Sequence, residues 1–145
     1  MSAFHKLSIK NYIQETANAV SIVFDVPENL KTNFSYKAGQ YITLKATVNG
    51  NEIRRAYSIC SAPESGELKV AIKAVEKGVF STYATSQLKV GDLIEVHEPE
   101  GKFMLEPTKS NNYLGIAAGS GITPVLSMIK AVLQQEPSSS FTLIY

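Results

Sequence analysis

The run Arg55-Ala56-Tyr57-Ser58 places a cation, an aromatic ring and a hydroxyl within four residues. It lies in Glu52 to Cys60, a segment whose composition predicts a β-strand. Side chains alternate between faces along a strand, so Arg55 and Tyr57 point one way and Ser58 the other. A planar aromatic cofactor with a diphosphate tail asks for such groups: a ring to pack on, a hydroxyl to hydrogen-bond, and a cation to hold the anion. Arginine suits the last task because its guanidinium presents a rigid fork of donors. By itself, the quartet describes an ordinary strand with a solvated arginine and a half-buried tyrosine at least as well.

Two glycine-containing runs shift that balance. Gly78-Val79-Phe80-Ser81 opens a predicted helix, Phe80 to Leu88, with Ser81 near the N-cap position. A glycine there lets backbone approach an anion, and the first turn offers unpaired N–H groups at the positive end of the helix dipole. Many helix starts look alike, so this run is weak alone. Gly119-Ser120-Gly121 offers the same physics at the mouth of a strand–helix unit. Pro124 occupies the sixth position of the usual dinucleotide glycine fingerprint, and a turn that merely needs glycines explains the run equally well. Lys73 and Lys77 could assist a phosphate, although exposed strand lysines are commoner than binding ones. Tyr41, after Ala38-Gly39-Gln40, reads as packing at a barrel rim, and Gly101-Lys102-Phe103 as a loop closing the barrel end.

The elements around these runs fall into two groups. Phe4 to Asn11, Ala19 to Val26, Tyr41 to Val48, Glu52 to Cys60, Glu67 to Val75 and Leu93 to His97 read as short strands. Asn49-Gly50-Asn51 makes a tight hairpin, and Ser61 to Gly66 is a loop by composition. Leu68, Val70, Ile72 and Ala74 share one face of their strand. The expected architecture is a mainly β, six-stranded antiparallel, Greek-key-like barrel with one helix. From Asn111 the pattern changes. Tyr113 to Ala118 is small or apolar throughout, as in a parallel strand buried on both faces. Thr123-Pro124 should cap and start a helix carrying Val125, Ile129, Val132 and Leu133, which Glu136-Pro137 stops before a second strand, Phe141 to Tyr145. This is the first β-α-β unit of an α/β nucleotide-binding domain. The expected domains are 1–108 and 109–145, divided within the polar stretch Pro107 to Asn112. A lone unit cannot cover both faces of its strands, so the sequence is expected to be a truncated piece, with its exposed C-terminal segment available for a homodimer contact.

Composition narrows the function classes. The chain has 145 residues, is 44% apolar and carries a net charge of +1. That offers neither a basic field for nucleic acid nor a polybasic patch for a membrane. The first ten residues lack a signal-peptide apolar core, so a cytoplasmic location is expected. One cysteine, Cys60, permits no internal disulfide and no four-thiolate cluster, and with His5 and His97 it lacks metal-ligand spacing. No metal is therefore expected in this chain.

In their order along the chain, these runs, with Ala38-Gly39-Gln40-Tyr41, Pro99-Glu100-Gly101-Lys102-Phe103 and Ala118-Gly119-Ser120-Gly121-Ile122-Thr123-Pro124, resemble the ferredoxin-reductase family of flavoproteins. Phe4-His5-Lys6-Leu7 and Arg55 to Ser61 are most similar to its phenylacetyl-CoA oxygenase reductase subgroup, which serves phenylacetate degradation. The resemblance implies FAD as cofactor, NAD(P)H as electron donor in the complete protein, and an iron–sulfur acceptor or oxygenase component as partner. It implies that Arg55 binds the diphosphate, with Ala56 beside it in the cofactor-binding strand. Tyr57 would pack on the isoalloxazine and Ser58 would hydrogen-bond near its N5, making these two the catalytic residues. Backbone at Ile72, Lys73 and Ala74 would line the flavin. Gly78, Val79, Phe80 and Ser81 would hold the diphosphate. Gly119 and Gly121 would shape the nucleotide loop, with Thr123 between flavin and nicotinamide. The competing reading is a flavin-free barrel acting as a binding or interaction module.

Overall fold

A computed structural model describes residues 3–145. Its six antiparallel strands are β1 (Phe4–Thr16), β2 (Ala19–Asp25), β3 (Tyr41–Val48), β4 (Asn51–Ser58), β5 (Leu68–Lys73) and β6 (Leu93–His97). They form one sheet in the order β4-β3-β6-β1-β2-β5. The sheet curls into a half-barrel, and its edge strands meet through an Ile59–Val70 bridge and the bond from Cys60 N–H to the Lys69 carbonyl, 2.9 Å. The inward positions are apolar: Leu7 and Ile9, Val20 and Ile22, Ile42 and Leu44, Val70 and Ile72, Ile94 and Val96 are all buried in one core. Each such side chain contributes about 1.5–3 kcal/mol on burial. Helix α1 (Val79–Ser86) closes one end, sending Phe80 and Ala84 into that core.

Several boundaries differ from the sequence expectation for local reasons. β1 continues past Asn11 because register shifts between Ile9 and Asn11 and between Gln14 and Thr16 absorb the break in alternation. β4 stops at Ser58 because Ile59 leaves β3 to meet Val70. Ala74 lies beyond β5, with its N–H bonded to the Asn18 carbonyl.

Beyond the half-barrel, β7 (Asn112–Ile116) and β8 (Ser140–Ile144) pair in parallel, joined by α2 (Ile122–Gln135). β7 carries the uncovered apolar face expected of a lone β-α-β unit. Gly115 is buried under Val125 and Phe141, whereas Leu114 and Ile116 are 62% and 72% exposed. α2 covers one sheet face only. It also docks on the half-barrel, where Met128 and Ala131 bury Ala38. Gly39 serves this contact: its φ is +103°, and a Cβ there would stand 2.2 Å from the Phe103 carbonyl oxygen and 2.4 Å from Met128 Cε.

Glu136, expected only to stop the helix, anchors the linker. It is 6% exposed, and its Oε1 accepts the N–H groups of Thr108 (2.8 Å) and Lys109 (3.0 Å) and the Tyr113 hydroxyl (3.0 Å). Ser139 Oγ donates to Oε2. Burial opposes ionisation, but these donors outweigh it and hold the carboxyl below its ordinary range. A depressed folded pKa contributes stability that is fully present above the unfolded value and lost as pH falls through the folded one. Glu136→Gln is therefore expected to destabilise the chain at neutral pH and to differ progressively less from the parent in acid. Urea unfolding at a series of pH values checks this, and a pH-independent difference would contradict it.

Candidate functional site

β4 is an edge strand, paired with β3 through Tyr41–Ser58, Ile42–Tyr57 and Leu44–Arg55. Ile42 and Leu44 are fully buried, so Tyr57 and Arg55 stand on the inward side and Ser58 on the other, as alternation predicts. The Tyr57 ring lies 5.9 Å from that of Phe80. Burial pushes the Tyr57 phenol up, opposed by the nearby Arg55 charge. Arg55 is exposed, and its Nη1 donates to the Arg54 carbonyl at 2.7 Å. Arg54 takes Glu52 as its ion pair at 2.7 Å, while Arg55 has no acidic partner among the described residues. The Ser58 hydroxyl likewise has no hydrogen-bond partner among them.

The α1 terminus differs from the expected one. Gly78, not Ser81, is the N-cap, and no side chain caps the helix. The Gly78 carbonyl accepts the Thr82 N–H at 3.0 Å, which leaves the first-turn N–H groups of Val79, Phe80 and Ser81 facing outward from the axis end. Glycine is needed here for space rather than for φ, which is −75°. A Cβ would lie 2.4 Å from both Ser81 Oγ and Val75 Cγ2. The Ser81 hydroxyl turns inward, donating to the Gly78 carbonyl (3.3 Å) and accepting the Val75 N–H (3.2 Å). It secures the loop, so a ligand would meet the Ser81 backbone instead.

The second glycine loop is a 3-10 turn, Gly119–Gly121, running into α2. Gly119 has φ +53°, which favours glycine, whereas Gly121 has φ −62° and open space around it. Gly121, rather than Thr123, is the N-cap, because the helix begins two residues earlier than expected. Thr123 Oγ1 instead donates back to the Ser120 carbonyl at 2.8 Å.

All three runs line one cleft of about 670 Å³. Arg55, Ala56, Tyr57 and Ser58 form one wall, Gly78 to Ser81 with Ile72 and Lys73 another, and Gly119 with Thr123 the far edge. Ala74 and Gly121 do not reach it. Ser120, Ile122 and Tyr145 do, although their residue types alone pointed to no role; Tyr145 donates its hydroxyl to the Gly119 carbonyl at 3.3 Å. Ser120 sits within the glycine loop itself, but Tyr145 is brought in only by the parallel pairing of β8 with β7. A second opening of about 760 Å³, near Tyr36 and Leu68, holds none of the three runs.

Residues 6–105 match the oxidoreductase FAD-binding domain. The chain belongs to this family of FAD-binding oxidoreductase domains. Over its full length it is 47% identical to one component of the 1,2-phenylacetyl-CoA epoxidase of Escherichia coli K12, covering 41% of that protein. Over 89% of its length it is 35% identical to the ferredoxin reductase component of the Rhodococcus rhodochrous 3-ketosteroid-9-alpha-monooxygenase, covering 37% of it. The chain thus spans about two fifths of the length of these relatives. Among solved structures, phthalate dioxygenase reductase superposes with a TM-score of 0.78 at 28% identity, over 97% of this chain and 42% of that one. That protein is described as modular, carrying electrons from pyridine nucleotides to a [2Fe-2S] centre. This FAD-binding oxidoreductase domain is therefore related to the reductase components of oxygenases. Among its described residues no helix is long and apolar enough to cross a membrane, and no cluster of metal-ligating side chains occurs.

Proposed function

We propose that this FAD-binding oxidoreductase domain holds FAD in the cleft between β4, α1 and the Gly119 loop. Within a longer protein it would accept reducing equivalents from NAD(P)H and pass electrons to an iron–sulfur acceptor of an oxygenase system. Residues 1–108 form the flavin domain in this reading, and 109–145 begin the nicotinamide region. The reaction belongs in the cytoplasm, where reduced nicotinamide is available. The observation that carries the reading is the convergence on one cleft of an arginine with no acidic partner among the described residues, a helix start without a side-chain cap and a half-buried tyrosine.

The residues present suit that cofactor. Arg55 and the first-turn N–H groups of α1 offer charge-assisted and dipolar donors to a diphosphate. Tyr57, backed by Phe80, gives a planar ring a face to pack against. Ser58 has a hydroxyl free to hydrogen-bond at the flavin N5. When bound, FAD supplies the hydride and one-electron chemistry, while the protein sets its position and electronics. Thr123 and Ser120 line the opposite edge, the side on which a nicotinamide ring would approach in this reading.

Ser58→Ala separates binding from chemistry. The variant is expected to keep FAD affinity within about fivefold, because a neutral hydrogen bond is worth only ~1 kcal/mol. Reduction of its bound flavin by a small dihydronicotinamide should slow roughly 10- to 100-fold, as befits a donor positioned where charge develops. Stopped-flow bleaching of the flavin band reads the rate, and an unchanged rate removes Ser58 from the reacting site.

A further inference from the structure

α2 turns one stripe of side chains toward the half-barrel. Thr123, Ser127 and Lys130 are spaced four and three residues apart, so they share a helix face. Thr123 lines the cleft. Ser127, fully buried, donates from Oγ to the Ser61 carbonyl at 2.6 Å. Lys130 Nζ donates to the Cys60 carbonyl at 3.2 Å. Both carbonyls belong to the turn that follows Ser58 almost directly.

That turn is fixed from its other side. Ile59 N–H bonds to the Gln40 carbonyl and Cys60 N–H to the Lys69 carbonyl, each at 2.9 Å. The Tyr36 hydroxyl meets Ser61 Oγ at 2.7 Å and the carbonyls of Ala62 and Glu67 at 2.8 and 2.9 Å. Burial, only partly offset by the Ser61 and Ser65 hydroxyls, pushes the Tyr36 phenol up to about 12, so it remains a donor throughout the working pH range. The turn is thus a rigid shelf extending from the strand that carries Tyr57 and Ser58.

We propose that Ser127 and Lys130 are positioning residues: by bonding the Ser61 and Cys60 carbonyls, they fix how far the Gly119–Thr123 edge of the cleft stands from the Tyr57–Ser58 edge. Thr123 lies about 6 Å up the helix from Ser127, so a shift at the anchor is carried rigidly to the cleft. The Ser61 carbonyl is buried, and losing its donor leaves an unsatisfied acceptor that favours opening of the contact. The consequence for a bound flavin rests on the function proposed above; the docking of α2 does not.

The chain's single cysteine reports this docking. Cys60 is 4% exposed, and the Lys130 charge acts on its thiol. In the FAD-free chain, Ser127→Ala and Lys130→Met are expected to speed Cys60 labelling by a neutral thiol reagent about 5- to 100-fold. Removing the Lys130 charge alone would raise the thiol pKa and slow labelling, so acceleration reads opening. The faster rate should be nearly independent of urea below the unfolding transition, the mark of local opening, and Lys130→Arg should restore protection. Lys130 is exposed, so its variants keep the test available even where Ser127→Ala fails to fold. Unchanged labelling in these variants, or acceleration that climbs with urea like global unfolding, overturns the proposal. With FAD added, the visible circular dichroism of the flavin should change in Lys130→Met and recover in Lys130→Arg. A chain that never binds FAD but shows the labelling pattern refutes the flavin reading and supports the positioning one. Bound FAD with unaltered labelling does the reverse.

Discussion

Arg55→Ala is expected to weaken FAD binding by about 10- to 100-fold. Hydrogen bonds to charged groups are worth about 1.5–3 kcal/mol, and each 1.4 kcal/mol is about tenfold in affinity. The full effect is expected because Arg55 has no carboxylate partner among the described residues, so nothing else holds its charge before the ligand arrives. Its hydrogen bond to the Arg54 carbonyl restricts the guanidinium without neutralising it. The same substitution should leave folding nearly untouched, since the side chain is exposed. Arg54→Ala is the matched control, because Arg54 is committed to Glu52 and lies outside the cleft lining. Fluorescence titration of both variants checks the pair. Equal affinities for the two would assign the diphosphate contact elsewhere.

Phe80→Ala should cost the most stability of any single change near the cleft, about 3–5 kcal/mol by analogy with buried aromatic truncations. Phe80 is 1% exposed, contacts the Tyr57 ring at 5.9 Å and meets Tyr83 edge-on at 6.2 Å. It therefore joins the barrel core to the tyrosine proposed to carry the flavin. Total stabilities of such domains are about 5–15 kcal/mol, so this loss is a large fraction. The urea midpoint should fall steeply with little change in slope. FAD affinity should fall as well, because Tyr57 loses its support. A loss under about 1 kcal/mol would contradict the packing described for Phe80.

Much of the half-barrel was legible because its strands have one buried face and the side-chain period is two. Leu68, Val70 and Ile72 alternate in sequence and are buried in the structure. The three cofactor-type runs were also legible, since each is local and its chemistry follows from residue type. What escaped was mostly non-local. No neighbouring pattern shows that Ser127 meets the Ser61 carbonyl across 66 residues, or that linker N–H groups 27 and 28 residues away converge on Glu136. Helix starts were misplaced by one or two residues because glycines, rather than Ser81 and Thr123, stand at both N-caps. The apolar run Tyr113 to Ala118 has the pattern of a strand buried on both faces, and a lone β-α-β unit is expected to leave one of them uncovered. Here α2 covers one face, leaving Leu114 and Ile116 exposed.

The central claim is that the cleft joining Arg55 to Ser58, the α1 terminus and the Gly119 loop holds FAD. Equilibrium titration of the purified chain with FAD, followed by flavin fluorescence and visible absorbance, tests it most directly. One FAD per chain is predicted, with saturable binding and a resolved shift of the flavin bands that Arg55→Ala weakens. A folded chain that leaves flavin fluorescence and absorbance unchanged at saturating FAD would contradict the account.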